Sequence, residues 1–517
     1  MTARPFLPIC IALLLFGQGA ISASQASGRD EAAARVRASV DSICARQPLA
    51  RSVVSILALS PQGDTLACVN PGQKLVPASN MKLLTTGIAL LKLGADFRFE
   101  TTLAYSGTVR DGVLHGDLYI VGGADPSLGA NIPCAEPLQS LFGRWKQLLL
   151  KAGINAIDGY VVADGRYFDD PVPENLGWTY DDLGTYYGVG PTGLSFFENA
   201  QNFIVRPAKH QGEAPLIEPK YPLTPWMSYL NTATTSAPKS ANTLFCVNTP
   251  LAAVAQFGGS FPVDRKSYTL ECSNRFGAYT CAHYFCNYLV SNGVKVSKGA
   301  CDIARPSSCL RPSPASAPSN VRAASQDSLT KIGSTLSAPL VQLVRHTNCE
   351  SDNFFAETLF KTISRKRCGR TDYAGAIAQM ELCLKSLGVN PSGACQIMDG
   401  SGLSRKNYVS ASFFVDYLSK MLHSERKADF TSSLPYPGSK GTLEYKFPQK
   451  DASWRSRIRM KSGSMNGVRC YSGYIFPAQD EGEPIVFSIL TNNVTAPSWI
   501  VNPEIDAIIS LLADGLL

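Results

Sequence analysis

The stretch "PASNMKLLTTGIALLKLG", residues 77–94, opens on a proline and small polar residues and becomes an apolar run of helical spacing. Ser79 and Lys82 stand at its mouth, three residues apart, and positions i and i+3 of a helix share one face. A serine hydroxyl is a weak nucleophile until a base beside it takes its proton. A lysine amine held neutral by desolvation or nearby positive charge can be that base. At a helix N-terminus, free N–H groups and the helix dipole also favour developing negative charge. The same spelling suits an ordinary helix start, because serine is a common cap. S-x-x-K also recurs from Ser236, Ser328 and Ser424.

Just upstream, "SVVSILAL" and "DTLACVN" are β-rich runs joined by the turn "SPQG", a hairpin pattern. The alanine- and charge-rich "RDEAAARVRASVDSICARQ" before them reads as a helix. At the other end, "RIRMKSGSM", "CYSGYIF" and "IVFSILTNN" read as strands, and "NPEIDAIISLLADGLL" as an amphipathic helix suited to packing on a sheet. This order predicts an α+β fold: an antiparallel sheet covered by helices, with the two ends of the chain meeting. Between them, residues 96–320 carry many short β-like runs punctuated by Gly and Pro, so β-rich inserted domains are expected. The stretch 303–326, rich in Pro, Ser and Ala, reads as a linker back to the first unit.

Two further motifs follow in chain order. "ESDNFFAETLF" contains Ser351 and Asn353 as S-x-N, a hydroxyl for proton relay and an amide to position a lysine and a substrate. Alone it is equally a turn or helix cap, and S-x-N recurs at Ser240 and Ser464. "RMKSGSMNGV" places Lys461, Ser462 and Gly463 in a strand-like run, the one K-[ST]-G of the chain. A lysine and a hydroxyl on a strand edge suit a substrate carboxylate, and Gly463 would let a substrate backbone approach. A β-bulge with an exposed lysine is the bland alternative. S-x-x-K, S-D-N and K-T-G in this order are the signature of penicillin-binding proteins and class A β-lactamases.

With "GDLYIVGGADPSL", "DGYVVADGRYFDD", "GWTYDDLGTYYGVGPTGLSFFENAQN", "MDGSGLSRKNYVS" and "KSGSMNGVRCYSGYI", the chain resembles the class C low-molecular-mass penicillin-binding proteins, the D-alanyl-D-alanine carboxypeptidases/endopeptidases. More than half of the chain separates Lys82 from Ser351, as in this family, which carries inserted domains there; β-lactamases place the motifs far closer. The resemblance implies a serine β-lactamase/penicillin-binding transpeptidase-like domain over 25–95 plus 320–517. It further implies a β-rich insert over 96–204 plus 285–319 and a nested insertion over 205–284.

The resemblance also implies roles. Ser79 is the acylated nucleophile, Lys82 its base, and Ser351 and Asn353 the proton relay and substrate holders. Lys461 supplies positive charge, Ser462 and Ser464 bind the terminal carboxylate, and the N–H groups of Ser79 and Ser464 form the oxyanion hole. Trp178, Asp181 and Tyr186 from the insert, with Arg405 and Met465, recognise a diamino-acid side chain; the adjacent Asp182 leaves a one-residue ambiguity. Ser462 replaces the usual threonine and keeps the hydroxyl.

The implied substrates are peptidoglycan peptides, with β-lactams as inhibitors and neither cofactor nor metal required. A β-lactamase of the same fold is the first alternative, but no residue clearly supplies its deacylating base. The second is a catalytically weak wall-binding protein, against which the intact motifs argue. No G-x-S-x-G elbow of a Ser-His-Asp hydrolase is present.

Composition sets the remaining bounds. The chain has 517 residues, 45% of them hydrophobic, and calls for two or three domains. Its net charge of +7 is spread out, without the basic blocks that nucleic acid would demand, and it tolerates a polyanionic wall polymer. Arg4, the run "FLPICIALLLFG" and the small residues of "AISASQAS" predict an export signal over 1–24 and a periplasmic location. Nothing else resembles a membrane span, so at most peripheral membrane contact is expected. Of 15 cysteines, Cys10 falls in the signal. The others suggest disulfides in an oxidising compartment, with Cys301–Cys309 and Cys383–Cys395 as local pairs. "CAHYFC" (Cys281, His283, Cys286) lacks a second ligand cluster and favours thiols or disulfides over a metal.

Overall fold

The structure, a computed structural model, describes residues 31–168, 172–303, 325–478 and 482–515. The expected export signal, Cys10 and Cys309 lie outside these residues.

One antiparallel sheet organises the fold. Its strands are β1 (Val53–Leu59), β2 (Thr65–Val69), β3 (Ile458–Met465), β4 (Val468–Ile475) and β5 (Ile485–Asn492), in the order β2-β1-β5-β4-β3. β1 pairs with β5 in the register Ile56↔Ile489, so the two ends of the chain share the sheet. Every residue of β5 is buried, because helices cover both faces. On one face, α1 (residues 31–44) and the C-terminal helix α5 (Ser498–Asp514) set Val36, Val40, Ile505, Ile508 and Ile509 against Ile56, Phe487 and Ile489. On the other lies α2 (Met81–Leu93), with α3 (Leu340–Glu350) and α4 (Asn353–Cys368). Residues 81–90 of α2 are all buried, as befits a helix apolar all round. Lys82 is among them, and a buried ammonium is tolerable only where partners surround it.

The middle of the chain forms further sheets. One runs Gly299–Asp302, Tyr160–Asp164, Leu118–Val121, Glu100–Tyr105, Thr330–Leu336. Thr330–Leu336, expected in the catalytic unit, instead pairs antiparallel with Glu100–Tyr105. Helices Leu138–Lys151 and Gly277–Ser291 cover this sheet, with Phe142, Trp145 and Phe285 in mutual ring contact. Gly277–Ser291 straddles the expected edge of the nested insertion because Cys281, Phe285 and Leu289 recur at helical spacing and bury one face there. A smaller core of Phe203, Phe257 and Phe261 lies under two three-stranded sheets between residues 200 and 273.

The thirteen cysteines among the described residues are free. Cys383 and Cys395, expected as a bridge, each pack into the helical core as small apolar side chains. Cys281 and Cys286 do the same on Gly277–Ser291. Among the described residues, no three His, Cys, Asp or Glu side chains converge as they would on a metal ion. No helix there is long and apolar enough to cross a membrane.

Candidate active site

A tight turn, residues 78–80, precedes α2 and carries Ser79. Ala78 before it sits at φ 46°, a left-handed conformation that costs a non-glycine residue about 1–2 kcal/mol. Two glycines press on this turn. A Cβ on Gly463 would lie 2.6 Å from Pro77 O, and one on Gly402 would lie 1.8 Å from Ala78 O. Gly463 therefore serves the approach of β3 to the Ser79 turn, where the sequence suggested a substrate backbone. Asn80 pins the same turn to β4, its Nδ2 donating to Ser472 Oγ at 2.7 Å.

Lys82 is fully buried, and its Nζ donates to Ser79 Oγ at 3.1 Å, Asn353 Oδ1 at 2.6 Å and Ser401 O at 2.9 Å. Burial lowers its pKa to about 8, against the opposing charges of Glu357, Asp352 and Asp399. Lys461 reaches in from edge strand β3, also fully buried, and donates to Ser351 Oγ at 3.0 Å and Ser462 O at 2.8 Å. Burial, then the neighbouring Lys82 charge, push its pKa well down. Ser351 ends α3 at φ 62°, and Asp352 caps α4 by accepting from Phe355 N at 3.0 Å. Ser79, Lys82 and Asn353, from distant parts of the chain, thus form one hydrogen-bonded group, and Lys461 and Ser351 form a second that meets it at the S-x-N turn. A hydroxyl within reach of an amine whose pKa lies near neutrality is an arrangement for nucleophilic catalysis.

Ser462 and the exposed Ser464 follow Lys461 along β3, and Met465 packs partly against the helical core. Arg405 is exposed, with Nη1 donating to Asn466 O at 3.3 Å on the β3–β4 turn. The segment 174–188 lies alongside. Its Tyr187 carbonyl accepts from Asn353 Nδ2 at 3.0 Å. Arg275 holds this segment, donating to Glu174, to Leu183 O, and through Nε to Asn248 Oδ1 at 3.0 Å. Asp182 is occupied by Thr179 Oγ1 at 2.6 Å, whereas Asp181 and Tyr186 are exposed. Asp181 is therefore the aspartate of the pair open to a ligand. Trp178 is buried, and its indole N–H is committed to Asp399 Oδ2 at 2.9 Å. It can offer a ligand only a ring face.

Two buried carboxylates that the motif reading did not assign support this site. Asp399, in "MDGSGLS", accepts from Gly402 N, Ser404 N and Asn407 Nδ2 as well as Trp178. Glu357, one helical turn after Asn353, accepts from Ser401 N at 2.7 Å and Gly400 N at 3.1 Å. It thereby fixes the Ser401 carbonyl that Lys82 contacts. Burial and the Asp399 charge raise its pKa to about 7. Glu357→Ala leaves two buried N–H groups without acceptors, at about 1–3 kcal/mol each. A lower urea midpoint together with slower acylation is the expected result.

A serine bound to a buried lysine at the mouth of a core helix, an S-x-N turn and a lysine on the edge strand define the serine-acylating class shared by penicillin-binding proteins and β-lactamases. Comparison with known proteins narrows this class. Residues 36–513 match the D-Ala-D-Ala carboxypeptidase 3 (S13) family. The chain is 30% identical over 481 residues to the D-alanyl-D-alanine carboxypeptidase of Actinomadura sp. (strain R39), covering 90% of this chain and 82% of that protein. The crystal structure of penicillin-binding protein 4 (dacB) from Haemophilus influenzae superposes with a TM-score of 0.75 at 22% identity, over 92% of this chain and 99% of that one. A complex of the same Haemophilus protein with a β-lactam gives 0.70 at 19% identity, with the same coverage. The chain belongs to the D-Ala-D-Ala carboxypeptidase 3 (S13) family, and is a serine carboxypeptidase of that type.

Proposed function

We propose that the chain hydrolyses D-alanyl-D-alanine ends and D-alanyl–diamino acid crosslinks of peptidoglycan peptides through an acyl-enzyme on Ser79. The observation that carries this reading is the contact of buried Lys82 Nζ with Ser79 Oγ at 3.1 Å, beside an amine pKa of about 8. Neutral Lys82 takes the Ser79 proton as Oγ attacks the scissile carbonyl. The N–H groups of Ser79 and Ser464 hold the oxyanion. Ser351, hydrogen-bonded to Lys461, passes a proton to the leaving amine, and Ser462, Ser464 and Lys461 hold the terminal carboxylate. Water then cleaves the ester by the same route. β-Lactams acylate Ser79 because their strained amide imitates the scissile bond.

Asp181, Tyr186 and Arg405, with the Trp178 ring and Met465, form the side-chain subsite in this reading. The exposure of Asp181, Tyr186 and Arg405 beside the β3–β4 turn supports it. Asp181→Asn and Arg405→Ala should raise KM about ten-fold for a diaminopimelate-containing peptide and leave kcat within about two-fold, as for lost binding energy not specific to the transition state. Steady-state D-alanine release measures both.

The middle of the chain, with strand 330–336 and helix 277–291, is proposed to be an inserted unit that presents this subsite. Export to the periplasm is proposed from the N-terminal segment. In that oxidising setting Cys246 and Cys272, buried side by side in one small apolar core, are the favoured bridge.

Digestion of purified peptidoglycan, with products separated by mass, tests the activity. Release of D-alanine and loss of crosslinked dimers are expected. D-alanine release without dimer loss would remove the endopeptidase half.

A further inference from the structure

Helix α3 ends at Glu350 and α4 begins at Asn353, so Ser351 and Asp352 alone join the two helices. The chain turns there on Ser351, a non-glycine residue at φ 62°, a conformation that persists only where its surroundings hold it. Asp352, in the middle of the S-D-N motif, has two oxygens to offer. Oδ1 caps α4 by accepting from Phe355 N at 3.0 Å. Oδ2 lies 3.4 Å from His346 Nε2 on α3, and the two side chains are only 13% and 11% exposed.

His346 Nε2 is shut off from solvent and makes no closer hydrogen bond. Buried polar atoms are nearly always paired, and Asp352 Oδ2 is the acceptor beside this one. The separation is within ion-pair range and longer than a good hydrogen bond. The imidazole cannot drift. Its ring packs on Phe355, with centroids 4.7 Å apart. The helix beneath it is tied to α2 and to the turn beyond, because Thr86 Oγ1 donates to Asn348 Oδ1 at 3.3 Å and Asn348 Nδ2 donates to Ser433 Oγ at 2.9 Å. His346 therefore stands at a fixed place relative to the helix that carries Lys82. Burial opposes the Asp352 charge, but His346 and then the Phe355 N–H outweigh burial and hold its pKa below the ordinary value.

Asp352 is flanked by Ser351, whose Oγ accepts from Lys461 Nζ at 3.0 Å, and by Asn353, whose Oδ1 accepts from Lys82 Nζ at 2.6 Å. What fixes Asp352 fixes both. We propose that His346 is a positioning residue: its Nε2–H, beside Asp352 Oδ2, holds the joint between α3 and α4 so that Ser351 meets Lys461 and Asn353 meets Lys82. His346 touches no reacting atom and acts only through Asp352. This rests on the reading of Ser79 as the acylated nucleophile.

The test compares wild type, His346→Gln, His346→Phe, Asp352→Ser and the double variant His346→Phe/Asp352→Ser as full chains. Acylation by a fluorescent penicillin is resolved into its rate constant and the initial binding constant, at a pH on the plateau of the wild-type profile. Melting curves check folding. His346→Gln keeps a donor and loses the ring. His346→Phe keeps the ring against Phe355 and loses the donor. Asp352→Ser keeps a helix cap and removes the oxygen beside His346. His346→Phe and Asp352→Ser should each lower the acylation rate constant about ten-fold or more and leave the binding constant within about two-fold, because reacting groups are misplaced while substrate contacts remain. His346→Gln should stay within about three-fold of wild type. The double variant should be no more than about two-fold slower than the slower single variant, because both changes break one contact. A packing role alone gives the reverse, wild-type rates in His346→Phe and a loss in His346→Gln, and would overturn the proposal. So would His346→Gln as slow as His346→Phe, wild-type rates in Asp352→Ser, or losses that multiply in the double variant. A wild-type protein that takes no label on Ser79 would overturn the reading beneath it instead.

Discussion

Ser79→Ala is expected to abolish covalent labelling by penicillin and to lower D-alanine release by about four orders of magnitude or more, the scale seen when a catalytic nucleophile is removed. The fold should survive. Ser79 Oγ accepts a hydrogen bond from Lys82, which keeps Asn353 Oδ1 and Ser401 O as acceptors after the change. Melting temperature should therefore stay near that of wild type while activity collapses. The other S-x-x-K serines provide the control. Ser328 is exposed on a short turn, its hydroxyl bound only to Ser325 O at 2.7 Å. Ser328→Ala should label as wild type does. Intact-protein mass after penicillin treatment, with melting curves for both variants, checks these expectations.

Lys82→Ala should cost acylation about 10²–10⁴-fold, the usual range for a positioned general base. In wild type the acylation rate should rise with pH and level off above about 8, because only the neutral amine accepts the Ser79 proton and burial sets its pKa there. The variant should lose that rise. Lys82→Arg should not restore it, since a guanidinium does not deprotonate. Lys82→Ala also strips the donor from the buried Ser401 carbonyl, at about 1–3 kcal/mol, and from the half-buried Asn353 Oδ1, so it should melt lower than Ser79→Ala. Stopped-flow acylation across pH, with melting curves, measures both effects.

The motifs were legible because their chemistry demands particular residue types at particular spacings. Ser79 and Lys82 must share a helix face, and Lys461 must reach in from an edge strand. The terminal strands and helices were legible for a similar reason, since their apolar periodicity must match a core. The supports were harder to read. Glu357, viewed as a sequence, is one acid on a helix, with the spelling of a solvated face; only the fold folds the 400–401 loop onto it. Asp399 sits inside a quoted motif, yet its partner Trp178 lies more than 200 residues away, a separation no local pattern reports. The middle of the chain was harder to read for a different reason. "CAHYFC" drew attention as cysteine chemistry, whereas in the fold its Cys281, Phe285 and Leu289 spacing forms the buried face of a helix. Thr330–Leu336 belongs with Glu100–Tyr105 because strand pairing ignores the composition shift that suggested a boundary near 320.

Peptide mass spectrometry of the penicillin-treated full chain tests the acyl-enzyme on Ser79 most directly. The expected result is one equivalent of adduct, carried by the peptide containing Ser79. An adduct on Ser328 or any other residue, or no adduct at all, would contradict it.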